Sequence, residues 1–155
     1  MAEAVKATKN HAALLAPRLK REDIAEIRAM NGHEPIDALL GAFGAPNTEV
    51  YSIMEDKTIV GMFGVSDCQN GTGYGVPWLL TSASIKNISR EFLRECKTWV
   101  NHLGRNYSIL YNFVHVKNAP ALRWLQWCGF DLKTERPYGI KKERFYLFMK
   151  EMKHV

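Results

Sequence analysis

The chain has 155 residues, 46% of them hydrophobic and 24% charged, and carries a net charge of +5 at pH 7. That length and balance fit a single globular domain over residues 1–155. They exclude a membrane span, because no apolar run nears the ~18 residues that one needs. The N-terminal MAEAVKATKN has no apolar stretch, so no signal peptide is expected. Basic and acidic residues are interspersed with no nucleic-acid motif, which favours a small phosphate-bearing ligand over specific nucleic-acid recognition. Cys68, Cys96 and Cys128 are odd in number and widely spaced. They form no metal-ligand spacing, so free thiols in a reducing, cytoplasmic setting are expected, with no metal.

In chain order, residues 3–8 read as a short first strand, with Val5 and Ala7 alternating with charges. Across 9–20, Ala12, Leu15 and Leu19 recur at near-helical spacing, disturbed by Pro17. Residues 21–31 predict a helix with Glu22 and Asp23 in its first turn, Ile24 and Ile27 on one face and Gly32 as its stop. Pro35 suits the first turn of another helix over 35–43. From residue 48 the period changes. TEVYSIM and TIVGMFGV read as strands joined by a polar turn. The Gly-rich SDCQNGTGYG (66–75) precedes a third buried strand, VPWLLTS, and its glycines suit a hairpin or a wide loop. From Asn87 to Leu103, Ile88, Phe92, Cys96, Trp99, Val100 and Leu103 form a helical stripe, with Asn87 or Ser89 as its cap. YSILYNFVHV (107–116) is a strand. A short helix follows, and FDLKTERP and ERFYLFMKEM close the chain as an antiparallel pair. The order predicts a mixed α/β sheet with helices packed on it.

The segment VKNAPALRWLQWCGF (116–130) carries the most specific pattern. Asn118 can cap the following helix, with Pro120 in its first turn. Ala121, Leu125 and Cys128 share the face expected to meet the sheet, and Gly129 suits a left-handed terminus. The spacing of Asn118, Ala121 and Gly129-Phe130 resembles the GNAT family motif N-x-x-A-x-x-x-Y-x-x-x-G-F. The resemblance implies an α/β (α+β) acyl-CoA N-acyltransferase fold, a mostly antiparallel mixed sheet flanked by helices. It implies acetyl-CoA as cosubstrate, lying between strands 76–81 and 107–116, with Leu80 and Thr81 on its first strand and Asn118 and Leu125 near its thiol. An amine on a small molecule or protein would attack the thioester directly.

Two positions depart from the family. The stretch TSASIKNISRE (81–91) contains no glycine where the family carries a glycine loop for the pyrophosphate. Ser82, Ser84, Asn87 and Ser89 are placed to donate hydrogen bonds and Lys86 and Arg90 to supply charge; an ordinary polar loop with an N-cap is the other reading. The family tyrosine that protonates the departing thiolate is replaced by Leu125, and the neighbouring Trp124 cannot ionise. Tyr111, Tyr138 and Cys128 are the substitutes to consider. For a general base, His115 stands near the end of its strand, on the face of Ile109, Tyr111 and Phe113; a satisfied strand-end histidine is the alternative. Glu34, with His33, lies where the family contacts its acceptor, although Glu34 before Pro35 equally suits helix-start chemistry. A narrower resemblance, through LYNFVHVKN, LRWLQWCGF, NGHEP and WLLTS, is to GNAT-like proteins of tailed bacteriophages. It implies a phage-encoded protein in the host cytoplasm or the virion, with virion or host proteins as partners.

Overall fold

A computed structural model describes residues 2–45 and 47–153, with the side chain of Ser89 outside the described set. Seven strands form one sheet in the order β1-β2-β3-β4-β5-β7-β6. They are β1 (Ala2–Lys6), β2 (Glu49–Glu55), β3 (Thr58–Asp67), β4 (Tyr74–Thr81), β5 (Ile109–His115), β6 (Asp131–Tyr138) and β7 (Glu143–Glu151). Every neighbouring pair is antiparallel except β4 and β5. The helices are α1 (Lys9–Leu15), α2 (Arg21–Asn31), α3 (Pro35–Gly44), α4 (Ser89–Leu103) and α5 (Ala119–Trp127). Residues of α1, α2 and α3 cover one face of the sheet with Ala12, Leu15, Ile27 and Leu39 against Ile59 and Met62. Those of α4 and α5 cover the other with Cys96, Val100 and Leu125 against Phe63, Leu110 and Val114. The mixed, mostly antiparallel α/β architecture expected from the sequence is the one observed.

Local chemistry explains where elements stop. Pro17 divides the 9–20 segment into α1 and a 3₁₀ turn, Ala16–Arg18, because it brings no N–H to continue an α-helix. Gly32 takes a left-handed φ of 74° and returns its N–H to Arg28 at the end of α2. Asn118 caps α5 through Ala121 N–H, and Gly129 (φ 91°) ends it, as expected. Of the two expected caps of α4, Asn87 does not take the position, and the side chain of Ser89 lies outside the described residues. Ile88 occupies the N-cap position with no side-chain bond, because a 3₁₀ turn, Ala83–Asn87, leads into the helix and holds Asn87. The β6–β7 hairpin docks on the end of α2: Ile140 N–H donates to the Met30 carbonyl at 3.0 Å. Gly139 lies so close that a Cβ there would stand 2.5 Å from the Ala29 oxygen.

The feature that positions the site is a parting of β4 from β5. The two strands pair only at Tyr74–Ile109 and Gly75–Leu110. Pro77 is the next residue of β4 directed at β5, because its carbonyl accepts from Asn112 Nδ2 at 2.9 Å. Successive residues of a strand present their polar groups to alternate edges. Pro77 therefore has no N–H on the edge where the ladder needs one, and backbone pairing ends there. The Asn112 side chain takes over on the β5 side, and its Oδ1 also accepts Phe113 N–H at 2.8 Å. Beyond Pro77 the alternation aims the backbone of Leu79 and Thr81 into the gap.

Gly75 occupies the last paired rung, and a Cβ there would meet the Tyr107 ring at 2.7 Å and Leu110 at 2.9 Å. Gly75→Ala should cost about 1–3 kcal/mol through overpacking, measured by urea unfolding. Gly41→Ala, in α3 with no atom near its added Cβ, should instead gain about 0.5–1 kcal/mol.

Candidate active site

The gap between β4 and β5 opens into a cavity of about 850 Å³ that crosses the sheet. On one side it is walled by Phe92, Leu93 and Cys96 of α4 and by Trp124 and Leu125 of α5. On the other it meets Ile27 and Met30 of α2, His33, and Asp37 of α3. Apolar walls with few polar groups are the usual make-up of a small-molecule site.

Two carboxylates one turn apart on α2 hold the parted strands. Asp23, 2% exposed, accepts Thr81 N–H of β4 at 2.9 Å and the Lys20 ammonium at 2.6 Å. Lys20 completes the join by donating its own N–H to the Thr81 carbonyl at 2.9 Å. Glu26 Oε1 accepts His115 N–H of β5 at 2.8 Å. Asn118 links the acids, with its Nδ2 3.3 Å from both Asp23 Oδ1 and Glu26 Oε1. Each carboxylate thus replaces a ladder partner that the parting removed, as burial of backbone N–H groups requires.

The residues predicted from the sequence are only partly brought together. Leu80, Thr81, Lys86 and Leu125 line the cavity. Ser82 is buried and spends its N–H on Val60 and its hydroxyl on Ser84. Asn87 and Arg90 are exposed outside the lining, and the side chain of Ser89 lies outside the described residues. Asn118 is buried in the carboxylate cluster rather than in the cavity wall. Its amide oxygen caps α5 as expected, and its amide nitrogen is already committed to the two carboxylates.

Both expected catalytic residues are turned to other uses. His115 Nδ1 accepts Lys117 N–H at 3.1 Å, so the neutral ring carries its proton on Nε2, which meets Glu143 Oε1 at 2.8 Å. With both nitrogens engaged, the ring offers no lone pair to an amine. It borders a separate cavity of about 250 Å³ rather than the large one. Glu34 stands at the N-cap of α3 with its side chain 64% exposed and 3.4 Å from Arg28, a surface pair of little energetic weight. Its neighbour His33 does reach the large cavity.

Sequence reasoning passed over Glu26, which borders both cavities. Its residue surface is partly open through them, while its carboxyl is enclosed by protein. Burial raises its pKa from the ordinary 4.5 to about 7, and the Asp23 charge adds to the rise. The His115 N–H, Asn118 and Lys20 oppose it. Arg123 and Trp124 also line the cavity. Glu26 and Arg123 read as ordinary residues of amphipathic helices, and Trp124 reads only as a residue unable to ionise; the i, i+3 spacing of Asp23 and Glu26 is a signal that the helix dipole explains equally well.

A raised carboxylate pKa means that the folded state holds the proton more tightly than the unfolded one. The stability contributed is complete below pH 4.5 and is lost as pH rises through about 7. Glu26→Gln keeps an acceptor oxygen for His115 N–H and removes the titration. Relative to the parent, it should gain on the order of 1–3 kcal/mol between pH 4.5 and pH 8, read from urea unfolding at both pH values.

The sequence matches no protein-family model and no curated protein. Solved structures do match along the whole chain. A GNAT-family acetyltransferase from Streptococcus pneumoniae is 18% identical, with a TM-score of 0.65, covering 99% of this chain and 100% of that one. A spermidine N-acetyltransferase from Vibrio cholerae, solved with CoA and spermine, is 10% identical, with a TM-score of 0.72 and coverage of 97% and 95%. A ribosomal-protein alanine N-acetyltransferase from Escherichia coli is 11% identical, with a TM-score of 0.68 and coverage of 100% and 96%. The chain has the fold of the GNAT acetyltransferases.

Proposed function

We propose that the chain is an acetyl-CoA-dependent N-acetyltransferase acting on an amine acceptor by direct attack. The observation that carries this is the cavity through the sheet at the β4–β5 parting, bordered by a carboxyl whose pKa lies near 7. The residues present fit acetyl-CoA. The Leu79 N–H and C=O face the gap and can pair with the amides of an extended arm. Lys86, just before the start of α4, and Arg123 of α5 both line the cavity and suit its phosphates. The apolar wall of Phe92, Trp124 and Leu125 suits the arm itself. The thioester supplies the acyl group. Glu26, ionised above pH 7, takes the proton that the acceptor amine must lose. Met30, His33 and Asp37 face the acceptor from the α2–α3 side. Spermidine and a ribosomal protein, the acceptors named for two structural neighbours, bracket the choice between small-molecule and protein amines.

Tyr111, Cys128 and Tyr138 are each held in other contacts and do not take the place of the family tyrosine as an acid. Tyr111 hydroxyl lies 2.8 Å from Cys68 Sγ, and that bond, with burial, pushes its pKa up to about 12. Cys128 is held protonated by contact with Cys96, 3.0 Å away, and by burial. Tyr138 is stacked on Phe113 with centroids 3.8 Å apart. The departing thiolate is therefore left to water or to hydrogen bonding.

A second reading is a catalytically silent GNAT-fold protein of a phage virion or host-interaction complex. What favours it is that Lys20 and Asp23 already occupy the edge of β4 at Thr81, and that α4 begins without a glycine loop. Calorimetry decides between them. Acetyl-CoA at millimolar concentration should give binding heat; a folded protein that gives none sinks the enzyme proposal and leaves the second reading. In a thiol-release assay, the rate should rise with pH to a plateau above about pH 7. Glu26→Gln should lose that limb and about 10²–10⁴ in rate.

The phosphate end has its own test. Lys86→Ala with Arg123→Ala should weaken CoA and 3′,5′-ADP binding, most visibly at low salt, and leave pantetheine binding unchanged. Equal losses for all three ligands would show that the substitutions disturbed the fold instead.

A further inference from the structure

The large cavity is divided by charge. Lys86, in the turn before α4, and Arg123 of α5 line it from the segments on the α4–α5 side. Asp23 and Glu26 of α2 and Asp37 of α3 line it from the other. Among the described residues, the one ammonium on that side is Lys20, held on Asp23 at 2.6 Å. This half is therefore acidic within a chain of net charge +5. Glu26 accepts its protein hydrogen bonds, from His115 N–H and Asn118 Nδ2, on Oε1 alone. Its Oε2 has no donor among the described residues. Asp37 is exposed at the mouth, and no described cation pairs with it.

The wall beside these acids is narrow in side chains. Helix α3 lines the cavity with Asp37, Ala38, Gly41 and Ala42, which share one helical face. Its Leu39 and Phe43 turn to the core instead. After Asp37, nothing larger than a methyl group projects from that face, which leaves a trough. A Cβ built on Gly41 meets no atom within 4 Å. Glycine inside a helix is less favourable than alanine, and packing does not call for this one; its effect is to widen the trough. The N–H and C=O groups of α3 are bonded within the helix, so the amides of a peptide laid there would go unpaired. A hydrocarbon chain loses nothing and gains by leaving water.

Resting on the N-acetyltransferase reading, we propose that the acceptor is a linear aliphatic diamine, with its reacting amine at Glu26, its methylene chain along Ala38, Gly41 and Ala42, and its second ammonium at Asp37. The reacting ammonium gives one proton to Glu26. Its nitrogen then bonds the acyl carbon as the C–S bond breaks, and its second proton passes through water to the departing thiolate. The distal ammonium keeps its charge throughout, so Asp37 holds substrate and product alike and reads the second charge rather than the chemistry.

A thiol-release assay with 1,4-diaminobutane, 1-aminobutane and Nα-acetyl-lysine amide tests this. The kcat/KM for the diamine should exceed that for 1-aminobutane about fivefold, the reach of one ion pair at an exposed carboxylate. Asp37→Asn should remove that preference and Asp37→Glu should keep it. Gly41→Leu, which fills the trough, should lower kcat/KM for the diamine about tenfold and leave the heat of CoA binding unchanged. A diamine no better than the monoamine, or a preference that survives Asp37→Asn, overturns this inference alone. So does a lysine amide that outpaces both amines, or CoA binding with no turnover of any of the three. No heat from CoA overturns it together with the acetyl-CoA assignment.

Discussion

A sheet that stops pairing in its middle must find partners for the strand edges it exposes, and the arrangement of this molecule follows from how that is done. Pro77 ends the β4–β5 ladder by lacking an N–H on the edge where one is needed. Asn112, Asp23, Lys20 and Glu26 then take up the freed backbone groups near and beyond it. Two of these bonds come from one face of α2, so that helix is fixed against both strands at once. Its far end is tied to the β6–β7 hairpin through Met30 and Ile140. The cavity walls are therefore set by a helix anchored at both ends.

The same economy of partners sets the electrostatics. Asp23 and Glu26 both accept from Asn118, yet only Asp23 has an ammonium in direct contact. Lys20 neutralises Asp23, and Glu26 is left with burial and a negative neighbour, which together lift its pKa towards neutrality. A carboxyl with a pKa near 7 thus arises where a structural clamp meets a cavity. Its chemistry depends on which of two nearly equivalent acids has the cation.

Most of the architecture was legible in the sequence because periodicity and punctuation agreed. The change of period at residue 48, the stripe from Ile88 to Leu103 and the Asn118-to-Phe130 pattern each map onto an observed element. The parting of β4 and β5 was legible only through the resemblance, although Pro77 in a central strand was a physical hint in plain view. The site was harder. His115 lies on the strand face that alternation predicts, but alternation says nothing about ring hydrogen bonds, and those to Lys117 and Glu143 remove it from the cavity. Glu26 was hidden because its role depends on contacts with residues about 90 positions away. Local pattern reports which face a residue takes, not which distant backbone N–H it will meet.

An open sheet ordinarily has two free edges, and this one has an interior pair as well. Interior edges of β-branched and aromatic strands are templates for a stray strand from another chain. Here β4 meets the gap with a proline and with an N–H already held by Asp23, and β5 meets it with donors held by Asn112 and Glu26. The carboxylates that shape the cavity also act as gatekeepers against intermolecular strand addition. Leu79 remains as one short stretch of backbone facing the gap, long enough to pair with a slender ligand and too short to seed a growing sheet.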